Sequence, residues 1–188
     1  MSCDESRRRQ EAIYHDQKDA KLFVQTLAEA CARTEWEVHA YCLMSNHFHL
    51  VVETPNANLV AGMTWFLGTY TSRFNRRHRY FGHLFSGRYK SLIVDGSGTE
   101  YLRTVCNYVH LNPARAGLVK KAEPLKNYPW SSFPGIIKSP RLRPKWLRID
   151  RVFGDMGIAG DTVSGRRQYE RMVEAQRLEQ DPQQYRRI

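Results

Sequence analysis

No C-x-x-C pair occurs in this chain. Its four cysteines, Cys3, Cys31, Cys42 and Cys106, are scattered, which excludes the usual zinc spacings and a disulfide framework and leaves them as ordinary reduced thiols. No apolar run approaches the length needed to cross a bilayer, and the opening Met1 to Arg9 lacks the apolar core of a signal peptide. A soluble, cytoplasmic protein with no membrane partner is expected. A glycine-rich phosphate loop and a carboxylate-rich cluster are also absent, which disfavours a hydrolase of small phosphates. There are no internal repeats. Acidic residues are the scarcer sign of charge: 19 Asp and Glu against 29 Lys and Arg give a net charge of +10, which favours a polyanionic partner.

At 188 residues the chain is long enough for one well-filled core plus a tail. Leu22, Phe23, Leu27, Ala30 and Cys31 recur at helical spacing and predict a first helix over Asp19 to Thr34. Glu37 to Met44 alternates and leads through Ser45-Asn46 into His47 to Thr54, which predicts an antiparallel hairpin. Leu59, Met63, Phe66, Leu67, Tyr70 and Phe74 mark a long amphipathic helix ending near His78. A strand is expected over Tyr89 to Val94, and Gly96-Ser97-Gly98-Thr99 is expected to cap a third helix that ends at Asn112 before Pro113. The order helix, strand, strand, helix, strand, helix predicts an α+β fold with helices on one face of an antiparallel sheet. Beyond Val119, prolines punctuate an extended segment, and Gly165 to Tyr185 predicts a final basic helix.

Within the hairpin, His47-Phe48-His49 puts two imidazoles on an otherwise apolar strand. Strand side chains alternate, so His47 and His49 share a face with Val51, opposite Phe48, Leu50 and Val52. Two imidazoles on one face can hold one divalent ion; the alternative is that they hydrogen-bond within the core. On the third helix Leu102, Val105, Cys106 and Val109 form the buried stripe, while Tyr108 and Asn112, four residues apart, lie on one flank and can point at one spot. The alternatives are packing for Tyr108 and simple capping for Asn112.

The positive charge is concentrated in the middle of the chain. Arg73, Arg76, Arg77, Arg79, Arg88 and Lys90 crowd together there, with Tyr70, Phe74, Tyr80, Phe81, Phe85 and Tyr89 threaded among them. Cations for phosphates interleaved with aromatic faces for bases suit a single-stranded nucleic acid groove; a solvated basic face over core aromatics is the alternative.

Taken together these residues resemble a known family. His47-Phe48-His49 is similar to the His-hydrophobe-His motif of HUH endonucleases, and Tyr108-Val-His-Leu-Asn112-Pro-Ala-Arg-Ala-Gly-Leu-Val119 resembles the nucleophile helix of single-tyrosine HUH transposases. The Asn-Pro-x-Arg-Ala-Gly-Leu-Val run, Gly87-Arg-Tyr-Lys90 and the long tail resemble in particular the REP-associated tyrosine transposases. The likeness covers about Ile13 to Phe133. It implies a ferredoxin-like HUH endonuclease fold, with 1–15 a short N-terminal segment, 16–120 the catalytic domain and 121–188 a Pro-rich segment and basic helix. It further implies Mg²⁺ or Mn²⁺ held by His47, His49 and Asn112, Tyr108 as the nucleophile, and a 5′-phosphotyrosine intermediate on single-stranded or hairpin DNA at the nucleoid. Arg73, Arg76, Arg77, Arg88, Tyr89, Lys90 and Arg115 are the DNA-binding candidates. A non-catalytic nucleic-acid-binding module on a ferredoxin-like sheet is the reading from another class.

One departure stands out. Family members begin with a β-strand beside the strand of the histidine pair, yet the residues before Asp16 lack an alternating apolar run. A natural start upstream of Met1, or a substitute strand from elsewhere, is therefore expected.

Overall fold

The computed structural model describes residues 12–85, 89–94 and 101–179. Its elements are α1 (Gln17–Thr34), β1 (Glu37–Leu43), β2 (Phe48–Glu53), α2 (Leu59–His78), α3 (Tyr101–Arg115), α4 (Phe133–Ile136), α5 (Asp150–Asp155) and α6 (Val163–Glu179). This is the expected α+β class. Among the described residues, β1 and β2 form a two-stranded antiparallel sheet. They join through Ser45-Asn46, where the Met44 amide donates to the His47 carbonyl at 2.9 Å.

Two compact units interleave along the chain, and β1 and β2 contribute residues to both. The first holds 1–37, 43–48 and 53–92. In it α1 packs along α2, and Phe23, Phe66, Tyr70 and Phe74 are fully buried. Phe23 meets Phe48, Phe66 and Tyr70 at centroid distances of 5.0, 4.9 and 5.0 Å, much of it edge-on, the geometry aromatic quadrupoles favour. Tyr70 and Phe74 are therefore core residues rather than faces for bases. The Tyr70 hydroxyl confirms this by donating to the Ile13 carbonyl at 2.7 Å.

The N-terminus of α1 is tied to the C-terminus of α2. Asp16 caps α1 by accepting from the amides of Lys18 and Asp19, and Arg77 binds both Asp16 and Asp19. Asp19 is fully buried, which pushes its carboxyl up, but hydrogen bonds from His78, the His15 amide and Arg77 outweigh the burial and leave it below the usual range.

Trp36 fixes the far end of the same pair. Its indole donates to Asn58 Oδ1 at 2.9 Å, Asn58 Nδ2 donates to the Thr34 carbonyl, and its ring lies against Gly62. A Cβ at position 62 would sit 2.2 Å from Trp36 Cζ2. Gly62→Ala is expected to cost about 1–3 kcal/mol through overpacking, despite the better helix propensity of alanine. A urea unfolding curve checks this; an unchanged midpoint would mean that Trp36 has room to turn.

The second unit holds 38–42, 49–52 and 93–188. Its core includes Cys106, Leu111, Leu125, Phe133, Ile136, Val152, Phe153 and Tyr169, with α5 and α6 packed on α3. The segment after Val119 is thus less extended than its prolines suggest. It folds as short helices and 3-10 turns whose apolar residues enter the core. Two of its segments meet β1 directly: Val38 bridges Leu147 in parallel sense and Cys42 bridges Ser131 in antiparallel sense. Every residue of β1 from Val38 to Leu43 is buried, so both of its faces are covered although Glu37 to Met44 alternates in sequence.

Two further expectations need correction. Tyr89 to Val94 forms no strand: Leu92 and Ile93 are 89% and 96% exposed, so there is no packed face to hold one in register. The helix predicted to stop at Asn112 runs on through Pro113 to Arg115. Proline removes one donor, but the stop signal is Gly117 at φ 73°, where Leu118 N donates to the Pro113 carbonyl and Gly117 N to that of Ala114, closing a Schellman turn. The expected Gly96 to Thr99 cap, Arg88, and the segment before residue 12 with its missing strand lie outside the described residues.

Candidate active site

The α3 helix buries Leu102, Cys106, Val109, His110 and Pro113 and turns Tyr108 outward, 44% exposed. Two groups frame the phenol ring. His49 on β2 meets it edge-on at 5.8 Å and 89°, and the Arg115 guanidinium lies 4.8 Å above its centroid. Asn112, one turn beyond Tyr108, is 9% exposed, and its buried Nδ2 has no hydrogen-bond partner among the described residues.

That orphaned amide bears on whether these residues suit a metal. The two ends of a carboxamide exchange by a half-turn, so the unsatisfied position is one where Oδ1 would present its lone pairs with no competing donor. His47 belongs to the first unit, at the end of the hairpin turn. Its Nδ1 hydrogen-bonds Asn46 Oδ1 at 2.8 Å; an oxygen acceptor there requires Nδ1–H, so Nε2 is the unprotonated nitrogen of the neutral ring. Partial desolvation of the ring lowers the His47 pKa, so the neutral, ligating form persists at neutral pH. In donor chemistry alone, imidazole nitrogen and amide oxygen are ligands that a divalent ion accepts.

Among the described residues a second group could also hold an ion: His15, Asp19 and His78 offer ligand atoms all within 4.8 Å of one another. Its carboxylate already accepts from three donors, and Arg77 Nη1 lies 3.2 Å from His78 Nε2, so an ion there would have to displace these bonds.

Arg73 makes a paired contact with Glu29 at 2.9 and 2.8 Å and also donates to Thr26, and Arg77 is committed to Asp16 and Asp19. Arg76 and Lys90 are exposed, while Tyr89 and Arg115 are half-buried.

Sequence reasoning missed a buried polar chain next to the tyrosine. Tyr169 on α6 lies 2.9 Å from His110 Nδ1, His110 Nε2 lies 2.7 Å from Ser132 Oγ, and Ser132 Oγ accepts from the Tyr41 amide. With Nε2 protonated every member is satisfied: the Tyr169 hydroxyl donates to Nδ1 and Nε2–H donates to Ser132. Burial drives the His110 pKa down to about 3, so it is neutral and cannot serve as a cationic helper. A histidine inside the buried stripe of α3 was the available signal.

His47 in the hairpin turn, His49 on β2 and Tyr108 on α3 of an α+β fold are the placement expected of a single-tyrosine HUH transposase. The sequence model of the IS200-like transposases matches residues 6–112, a span that includes His47, His49, Tyr108 and Asn112, and the chain belongs to that family. Neither a curated protein nor a solved structure matches the chain at a significant level. Membership makes the protein a DNA-binding, DNA-cleaving transposase of a kind that generally needs a divalent metal. No helix among its described residues is long and apolar enough to cross a membrane.

Proposed function

We propose that the protein cleaves and rejoins single-stranded, hairpin-forming DNA through Tyr108, most like the REP-associated tyrosine transposases. The observation that carries this reading is the exposed Tyr108 ring held between His49 and Arg115, one helical turn from an unsatisfied Asn112 amide.

The Tyr108 oxygen attacks phosphorus as its proton leaves. The P–O3′ bond breaks and its electron pair stays on the 3′ oxygen, which takes up a proton to become a free hydroxyl. The phosphate remains esterified to the tyrosine through its 5′ side, and that stored ester allows rejoining without ATP. Mg²⁺ or Mn²⁺ held by His47, His49 and Asn112 would supply Lewis acidity at the scissile phosphate. Arg76, Arg88, Tyr89 and Lys90 are the proposed DNA contacts, the cations for phosphates and the aromatic for a base. Arg73 and Arg77 serve that surface indirectly, by holding α2 against α1.

The test is incubation with an oligonucleotide hairpin flanked by single strands in the presence of Mn²⁺. A protein–DNA adduct that survives denaturing electrophoresis and disappears with EDTA is expected. Tight binding without adduct at any metal concentration would favour a non-catalytic binding module.

A further inference from the structure

We propose that Arg115 is a positioning residue for Tyr108, holding its ring for attack and stabilising the charge that spreads into that ring as the phenol reacts; this rests on Tyr108 being the nucleophile. Seven residues separate the two. At about 100° per residue that separation returns Arg115 to within about 20° of the Tyr108 azimuth, two turns further along α3. Helical side chains lean toward the N-terminus, so a long side chain at 115 is directed back over residue 108. The guanidinium is indeed 4.8 Å from the ring centroid, and its Nη1 lies 3.5 Å from the Tyr108 carbonyl.

The reach depends on the helix continuing past Pro113. Had α3 ended at Asn112, residue 115 would have no helical azimuth. The Schellman turn at Gly117 keeps Arg115 in the last turn, where a cation also complements the helix dipole.

The energetic role follows from what changes during attack. A cation over a neutral phenol gains the modest attraction of a ring quadrupole. As the proton departs, negative charge delocalises from oxygen into the ring and the same cation meets a larger opposite charge. An interaction that strengthens toward the transition state accelerates the step, whereas one equal in both states does not. The planar guanidinium over one ring face and the edge-on His49 together limit rotation of the phenol. A lysine at 115 keeps charge but loses the flat stacking surface.

Single-turnover adduct formation on the hairpin oligonucleotide, measured across DNA concentration, tests this. Arg115→Ala is expected to lower the rate at saturating DNA about 10- to 100-fold, an effect of the size seen for electrostatic groups at reacting centres, with half-saturation within about two-fold of wild type. Arg115→Lys should recover part of the rate. An unchanged saturating rate in Arg115→Ala, or a loss confined to half-saturation, overturns the proposal and makes Arg115 a plain phosphate contact. A second arm needs no DNA: ¹⁹F NMR of protein carrying 3-fluorotyrosine at position 108. The ring should flip more slowly in wild type than in Arg115→Ala when the fold is intact by circular dichroism, and an equal flip rate in both proteins overturns the proposal. Absence of adduct in wild type would count against the proposed function alone, since the ring-flip arm still decides for or against Arg115.

Discussion

On the proposed function, Tyr108→Phe is expected to abolish the covalent adduct with hairpin DNA and to leave binding within about two-fold of wild type. The substitution removes only the hydroxyl, and deleting the nucleophile of a covalent mechanism costs on the order of 10⁴-fold or more in rate, well below detection in an adduct assay. The phenyl ring still fills the space between His49 and Arg115, so the local packing survives. Binding by gel shift and adduct on a denaturing gel, run on the same samples, check both halves. Adduct persisting in the variant would assign the chemistry to another tyrosine, and Tyr80 and Tyr101, both about half exposed, are the first to test.

Acid weakens the folded state through His110. Its folded pKa of about 3 lies below the ordinary value of 6.5, so the unfolded chain takes up a proton near pH 6.5 that the folded chain refuses until about pH 3. The stability supplied by the neutral imidazole is thus present above pH 6.5 and declines as pH falls. Each unit costs about 1.4 kcal/mol, on the order of 2–3 kcal/mol between pH 6.5 and 4.5. The carboxylates whose pKa values are lowered, Asp16, Asp19 and Asp161 among them, lose their share only at still lower pH, below their ordinary range. Urea midpoints at pH 7 and pH 5 should therefore differ strongly in wild type and much less in His110→Gln, which starts from a lower stability. Equal pH dependence in the two proteins would remove His110 as the source.

The parts of this fold that sequence made legible are those set by local periodicity. α1, α2 and the hairpin fall within a residue or two of their expected bounds because each is written in its own apolar spacing and caps. The missed parts depend on partners far along the chain. The bridges of β1 run to Ser131 and Leu147, some ninety residues or more away, and no pattern within Glu37 to Leu43 announces them. Tyr89 to Val94 has the composition of a strand but pairs with no strand among the described residues. The same limit applies at the site. Tyr108 and Asn112 were legible from helical spacing and the family likeness, yet Arg73 and Arg77 looked equivalent to Arg76 until Glu29, Asp16 and Asp19 were found against them. Charge counts identify cations; only the fold shows which are already paired. Pro113 misled for a related reason: the residue that ends α3 is Gly117, and a proline in a last turn loses one bond without stopping the helix.

The bond from Tyr169 to His110 changes how the chain can be cut and rebuilt. A version ending before Val163 would carry an imidazole with one nitrogen stranded in the interior, two residues from the proposed nucleophile Tyr108. A shortened variant should keep everything through α6, because that helix supplies the hydroxyl that satisfies the His110 ring in the core of the second unit.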